Sequence, residues 1–252
     1  MERNKERNRQ MIELSQRLQT IGDMVKPGHR VADIGSDHAY LPTYLIQKGI
    51  ASACIAGEVN RGPWQSAERQ VRSAGLAEYI DVRLGNGLSV ISPGEVDTVC
   101  IAGMGGSLIA SILNEGCEKL AGVQQLLLQP NVGAPLVRRW LLAHGWQLSK
   151  EKILEEDGVI YEILEAVPGN PELPYEGRSL SREELVEVGP YLWQEKSPVL
   201  RKKWEQERDK LKSVQEQLQR AKNPEAEEKK REVAKRLTWM EEMLSCMQTD
   251  KE

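Results

Sequence analysis

The chain has 252 residues, 40% of them hydrophobic and 29% charged, with 21 glycines and 12 prolines, which excludes a disordered or collagen-like protein and requires at least one proper core. Four scattered cysteines, with no CxxC spacing and no histidine cluster beside them, argue against a disulfide framework and a structural zinc site; no metal is expected, and the cytoplasm is the expected location. The net charge of −4 disfavours a nucleic-acid partner only as an average: residues 1–30 carry seven Lys/Arg against four Asp/Glu, residues 198–252 fourteen against twelve, and the stretch between them thirteen against twenty-two.

The N-terminus, MERNKERNRQM, has no apolar run behind its charges, and nowhere do eighteen apolar residues follow one another, so neither a secretion signal nor a membrane span is expected. Arg3, Lys5, Arg7 and Arg9 make a basic arm that is either solvated or in contact with phosphate. Met11, Leu14, Leu18, Ile21 and Val25 then fall at helical spacing and predict an amphipathic helix from Met11 onward.

From Arg30 to Val167 short β-branched runs alternate with helical patterns, as in a parallel sheet with crossover helices. Residues 30–35, 52–58, 80–85, 97–103 and 123–129 read as strands, with helices at Tyr40–Lys48, Pro63–Ser73, Ser107–Asn114 and Ala134–His144 between and after them. Two last strands, Gln147–Glu156 and Val159–Ala166, flank Asp157-Gly158, which suits a tight hairpin and makes this pair antiparallel. Parallel strands that end in an antiparallel hairpin are the pattern of an α/β, Rossmann-like class I methyltransferase sheet.

Beyond Val167, PGNPELPYEGRSL reads as a linker, and Ser181 with Glu184 as a capping box that opens a short helix interrupted at Gly189-Pro190. Leu200, Trp204, Leu211, Val214, Leu218 and Ala221, then Ala226, Val233, Leu237, Met240, Leu244 and Met247, follow heptad spacing on either side of Asn223-Pro224. They predict an antiparallel coiled-coil hairpin, for which a self-contained stalk or dimerisation device is as good an account, from pattern alone, as a functional role. The expected organisation is a methyltransferase domain over 1–167, a linker with a short helix over 168–197, and the hairpin over 198–252.

The first βα turn reads Asp33-Ile34-Gly35-Ser36-Asp37-His38-Ala39-Tyr40-Leu41-Pro42. With one glycine and two carboxylates it repels a pyrophosphate and lacks G-x-G-x-x-G, whereas the sulfonium and ammonium of S-adenosylmethionine (SAM) suit it. Asp33 and Asp37 can equally be caps of the turn and helix. Glu58, at the end of the second strand beside Val59, is placed to accept from ribose hydroxyls. Asn86-Gly87 offers either an amide for an adenine edge or a plain turn. Ala102-Gly103-Met104-Gly105-Gly106 lets a backbone lie against a ligand, and Gln129-Pro130-Asn131 brings two amides to the same edge.

These segments, DIGSDHAYLP, the Glu58 strand end, LGNGL, IAGMGG and LLLQPN, with a helical C-terminal hairpin behind them, resemble the bacterial tRNA (adenine-N1)-methyltransferase family TrmK, which modifies adenine 22 in the D-arm. The resemblance implies SAM as cofactor and tRNA as substrate. It also implies that Asp33, Gly35, Ser36, Asp37, His38, Tyr40 and Leu41 line the methionine side of SAM, Glu58 and Val59 its ribose, and Asn86 and Gly87 its adenine. Gly103, Met104, Gly105, Gly106 and Asn131 would form the floor under the target base, Ala102, Gly103, Met104 and Gly105 would also bind the cofactor, and the hairpin would touch RNA. Asp37, Tyr40 and Asn131 are the candidates for positioning the base; His38 is either a base or a hydrogen-bonded wall residue. A monomer is expected. A SAM-dependent enzyme for another RNA, a protein or a small molecule, and a non-enzymatic coiled-coil protein, are the competing readings.

Overall fold

The computed structural model describes residues 11–219 and 224–247; the basic arm, Ala221 and Asn223 lie outside them. The chain divides into two compact units, the first ending at Tyr191 and the second starting at Leu192.

In the first unit helix α1 (Gln16–Met24) precedes strand β1 (Arg30–Ile34), α2 (Tyr40–Gln47), β2 (Ala53–Glu58), α3 (Arg61–Ser73), β3 (Ile80–Leu84), β4 (Thr98–Gly105), α4 (Gly106–Glu115), β5 (Gln125–Val132), α5 (Ala134–Ala143), β6 (Trp146–Glu156), β7 (Val159–Pro168) and α6 (Arg182–Val188). The seven strands form one sheet in the order β3-β2-β1-β4-β5-β7-β6. The first five are parallel, and β7 runs antiparallel to both β5 and β6. This is the Rossmann-like methyltransferase arrangement expected. Asp157 (φ 51°) and Gly158 (φ 78°) make the tight turn between β6 and β7, both left-handed as a two-residue hairpin requires.

Successive strand residues serve opposite faces. Val31, Cys54, Ala56, Cys100 and Leu127 pack with Ile21, Leu41, Leu45 and Val71 from α1 to α3. Ala32, Ile34, Ile55, Val99, Ile101 and Leu128 pack with Ile109, Leu113, Val137 and Leu141 from α4 and α5. Covered on both faces, the central strands read as unbroken apolar runs rather than alternating ones.

Helix α1 departs from expectation by starting at Gln16 rather than Met11. Ser15 Oγ accepts from Leu18 N–H, and the Glu156 carboxylate accepts from Gln16 and Arg17 N–H, so the start is capped twice. Upstream, Ile12 N–H donates to Gln47 Oε1 (3.0 Å) at the end of α2.

Strands β4 and β5 run farther than expected, through a paired irregularity. Ala102 pairs with Gln129, Met104 with Pro130 and Gly105 with Val132. Gly103 (φ 77°) is therefore an extra residue on β4 and Asn131 one on β5, after which the strands regain their earlier register.

The capping box forms as expected: Ser181 Oγ accepts from Glu184 N–H (3.4 Å) while Glu184 Oε2 accepts from Ser181 N–H (2.8 Å). Gly189 (φ 99°) ends α6, and α7 (Pro190–Glu195) follows.

In the second unit α8 (Pro198–Gln219) and α9 (Pro224–Cys246) form the helical hairpin. Leu200, Trp204, Val233, Leu237, Met240, Leu244 and Met247 are buried, whereas Leu211 and Leu218 are half-buried and Val214 is exposed. The heptad stripe thus holds at the base and thins toward the tip. Trp204 meets Trp239 edge-on, ring centroids 5.4 Å apart, and Lys212 pairs with Glu241 across the hairpin (3.0 Å).

Candidate functional site

The sheet reverses its winding between β1 and β4, and ligands of such sheets bind at the carboxyl ends of the strands at that reversal. The loops that follow β1 to β5 lie on that edge.

At the end of β1, Gly35 (φ 73°) and Ser36 both donate their N–H to Gly57 O on β2 (2.9 and 3.2 Å), and Ser36 Oγ donates to Asp33 Oδ2 (2.6 Å). Asp37, His38 and Ala39 are all left-handed (φ 41°, 65° and 55°), each costing roughly 1–2 kcal/mol for a residue with a Cβ. Glu58 Oε1 holds this turn by accepting Asp37 N–H (2.6 Å). His38 stacks on Tyr40 (centroids 5.4 Å apart) and its Nε2 lies 3.5 Å from Asp37 Oδ1. Asp37 and Tyr40 are exposed; Leu41 is buried in the core beneath α2.

Asp33 is buried, and desolvation pushes its carboxyl up to about 6 against the opposing Ser36 hydrogen bond, with Glu58 adding repulsion and Arg17 reducing it. Glu58 is also raised by burial, partly offset by the Asp37 N–H. Two adjacent buried carboxyls, both raised chiefly by desolvation, are favoured in their ionised form by a cation placed beside them. The residues therefore fit a cationic group such as SAM and do not fit a pyrophosphate.

Gly85 N–H donates to Glu58 O (2.8 Å), which brings the β3 end alongside; Asn86 is exposed there and Gly87 (φ 53°) opens a 3₁₀ turn. Val59 is exposed at the end of β2. Met104 closes the floor: a Cβ on Gly35 would collide with its Cε. Ala102 and Gly105 are half-buried beside it.

The bulge is braced by side chains. Gly103 N–H donates to Gln129 Oε1 (3.0 Å), Gln129 Nε2 donates to Asn131 Oδ1 (3.1 Å), and Asn131 Nδ2 donates to Gly103 O (2.8 Å). Arg17 Nη1 also donates to Gln129 Oε1, and its guanidinium lies over the Tyr161 ring (5.3 Å). The structure thus joins the first turn to Glu58, and Gly103 to Asn131, as two linked clusters. Sequence reasoning missed Arg17: periodicity marks the apolar face of α1 and gives no weight to one side chain of its polar face. Gln129, read as facing the cleft, is fully buried as the brace beneath it. Among the described residues no cluster of His, Cys, Asp or Glu suits a metal ion, and no helix is long and apolar enough to cross a membrane.

A family described as tRNA (adenine(22)-N(1))-methyltransferase, TrmK, matches residues 31–242. The enzyme of that name from Bacillus subtilis (strain 168) is 47% identical, over 92% of this chain and 98% of its own. The crystal structure of the B. subtilis M1A22 tRNA methyltransferase TrmK superposes with a TM-score of 0.87 at 46% identity, covering 92% of this chain and 99% of that one. A Streptococcus pneumoniae protein crystallised in complex with S-adenosyl-L-methionine gives 0.81 at 40% identity, over 92% and 100% of the two chains.

Proposed function

The chain belongs to the tRNA (adenine(22)-N(1))-methyltransferase family, and from that premise we propose that it methylates N1 of an adenine in the D-arm of tRNA, position 22, with SAM as methyl donor. The observation that carries the cofactor half is the pair of buried, raised carboxyls, Asp33 and Glu58, at the ends of adjacent strands. When bound, SAM supplies a methyl group on a sulfonium.

Adenine N1 already carries an in-plane lone pair, so the chain has no need to create a nucleophile; its task is alignment, worth up to ~7–11 kcal/mol in favourable intramolecular cases. We assign Asp33, Gly35, Ser36, Asp37, His38, Tyr40 and Leu41 to the methionine side of the cofactor, Leu41 through its backbone since its side chain is in the core. Glu58 and Val59 take the ribose and Asn86 and Gly87 the adenine. Ala102, Gly103, Met104 and Gly105 make the floor under the reacting groups. Asp37, Tyr40 and Asn131 position the target base, and an amide oxygen such as Asn131 Oδ1 suits the N6 amino group, which sheds a proton to neutralise the product.

N1 is a Watson–Crick atom, so the target must leave its pairing or stack before reacting. One adenine pocket cannot choose among many adenines, and selection then falls to tRNA shape, read by the hairpin over 198–252. We assign residues 1–167 to the cofactor and chemistry and 168–197 to the connection. The buried free thiols Cys54 and Cys100 suit the reducing cytoplasm in which we place the reaction, carried out by a single chain.

The test offers unmodified tRNA with labelled SAM and maps the product by mass spectrometry. N1-methyladenosine at one D-arm position is expected. SAM binding without tRNA-dependent turnover would move the chain to another substrate, and no SAM binding in calorimetry would leave a coiled-coil interaction protein.

A further inference from the structure

We propose that Arg17 is a positioning residue for this reaction, clamping Gln129 so that the Asn131 amide is held with its oxygen free to accept at the cleft. The inference rests on the reading that Asn131 meets the target adenine.

An amide side chain in a cleft is ambiguous, because turning it over exchanges a donor for an acceptor at nearly the same point. Here the ambiguity is removed from one end. A guanidinium can only donate and does not lose its charge, and a backbone N–H can only donate. Arg17 Nη1 and Gly103 N–H converge on one atom of Gln129, so that atom must be the oxygen. Gln129 is fully buried and has no water to turn toward. Its Nε2 is then committed to Asn131 Oδ1, and Asn131 Nδ2 to Gly103 O. The bonds close on Gly103, whose N–H and C=O admit only this sense, and Arg17 clamps it from the buried end as a second donor to Gln129 Oε1.

Asn131 is exposed, and those bonds use one of its two N–H groups and one of its two oxygen lone pairs. Held this way, Oδ1 has a lone pair for adenine N6–H and leaves N1 bare. Turned over, Nδ2 would donate to N1 and occupy the lone pair that must attack. As charge develops on the base its N6–H becomes a better donor, so the correct sense helps more in the transition state than before it.

The cation is itself held from two elements. Glu156, the last residue of β6, caps α1 at Gln16 and Arg17, and Tyr161 of β7 lies beneath the guanidinium. A residue meant only to tie α1 to the sheet has no reason to end on a buried amide that continues to the cleft.

The experiment compares wild type, Arg17→Met, Arg17→Lys and Gln129→Glu in the full chain, with unmodified tRNA. Arg17→Met is expected to lower kcat about tenfold or more, in keeping with the cost of a misplaced group, while the SAM dissociation constant stays within about twofold by calorimetry. Arg17→Lys keeps an N–H donor and restores most of kcat. Gln129→Glu keeps and strengthens the tie to Arg17, and so the thermal midpoint, yet cannot donate to Asn131; its kcat falls as in Arg17→Met. Nuclear magnetic resonance of the Asn131 side-chain amide adds a readout independent of turnover: the proton donated to Gly103 O is shifted and protected from solvent exchange in wild type and Arg17→Lys, and loses both its shift and its protection in Arg17→Met. Wild-type kcat in Gln129→Glu, or an Asn131 amide unchanged by Arg17→Met, overturns the proposal. A wild type that makes no N1-methyladenosine speaks against the function reading instead, and the amide signals still decide whether Arg17 clamps the amide.

Discussion

On the proposed function, the buried side chain of Asp33 couples folding, cofactor and pH. Its carboxyl is pushed up to about 6 from an ordinary 3.8, chiefly by desolvation. A folded-state value above the unfolded one means that the native protein binds the extra proton between about pH 4 and 6. The contribution of Asp33 to stability is then greatest at the acid end and declines as pH rises through that window. A cationic ligand reverses the preference, since it favours the ionised carboxylate and releases the proton on binding. SAM affinity is therefore expected to rise by about tenfold between pH 5 and pH 6.5 and to level off above. Calorimetry across that range checks it, with Asp33→Asn as the control. A wild-type affinity flat in pH, or the same slope in Asp33→Asn, would remove Asp33 from the cofactor site. At this scale the first turn was legible, because its residue types alone reject a pyrophosphate. The hydrogen bond from Asp37 N–H to Glu58 was not, since it depends on three successive left-handed residues that no pattern announces.

Between elements the most concentrated joint is the fully buried Arg138 of α5. It bonds Glu151 Oε1 on β6 (2.8 Å), Glu162 Oε2 on β7 (2.6 Å) and Val186 O at the end of α6 (3.1 Å). Glu151 Oε2 in turn accepts Tyr191 N–H (3.0 Å), and a Cβ on Gly189 would lie 2.6 Å from Arg138 Nη2, so the glycine leaves room for the ion cluster. Removing the cation strands two carboxylates in the core. Arg138→Met should cost about 3–5 kcal/mol in denaturant unfolding, whereas replacing all three ionic residues with leucine should be far less damaging. A loss below 1 kcal/mol for Arg138→Met would show that the carboxylates find other partners. The strands and helices were readable because apolar period and turn residues are local signals. Arg138 was not, because it lies inside a helix whose pattern gives no notice of which charge goes inward. The start of α1 was misplaced for a related reason: its cap, Glu156, comes from a strand 140 residues away.

At the scale of the whole chain, the proposed function assigns the cationic cofactor to the −9 body and the tRNA phosphates to the positive ends. Deleting residues 198–252 should leave SAM affinity unchanged and weaken tRNA binding by about tenfold or more, with a shallower dependence on salt as phosphate contacts are lost. Gel-shift titrations at several salt concentrations decide it, and equal tRNA affinity would put recognition elsewhere. The paired bulge in β4 and β5 has a consequence for how the chain tolerates changes of length. In a strand, one residue gained or lost sends everything beyond it to the opposite face. Gly103 and Asn131 each do this, and because they lie on neighbouring strands on either side of the Met104–Pro130 pair the two inversions cancel. Helices α4 and α5 consequently leave the sheet at matching heights, where Gly106 lies too close to Gly133 O to carry a Cβ. A deletion in one strand alone would drive those glycines out of step, whereas matched deletions in both would restore a flat ladder that has nothing left to hold the amides at the cleft.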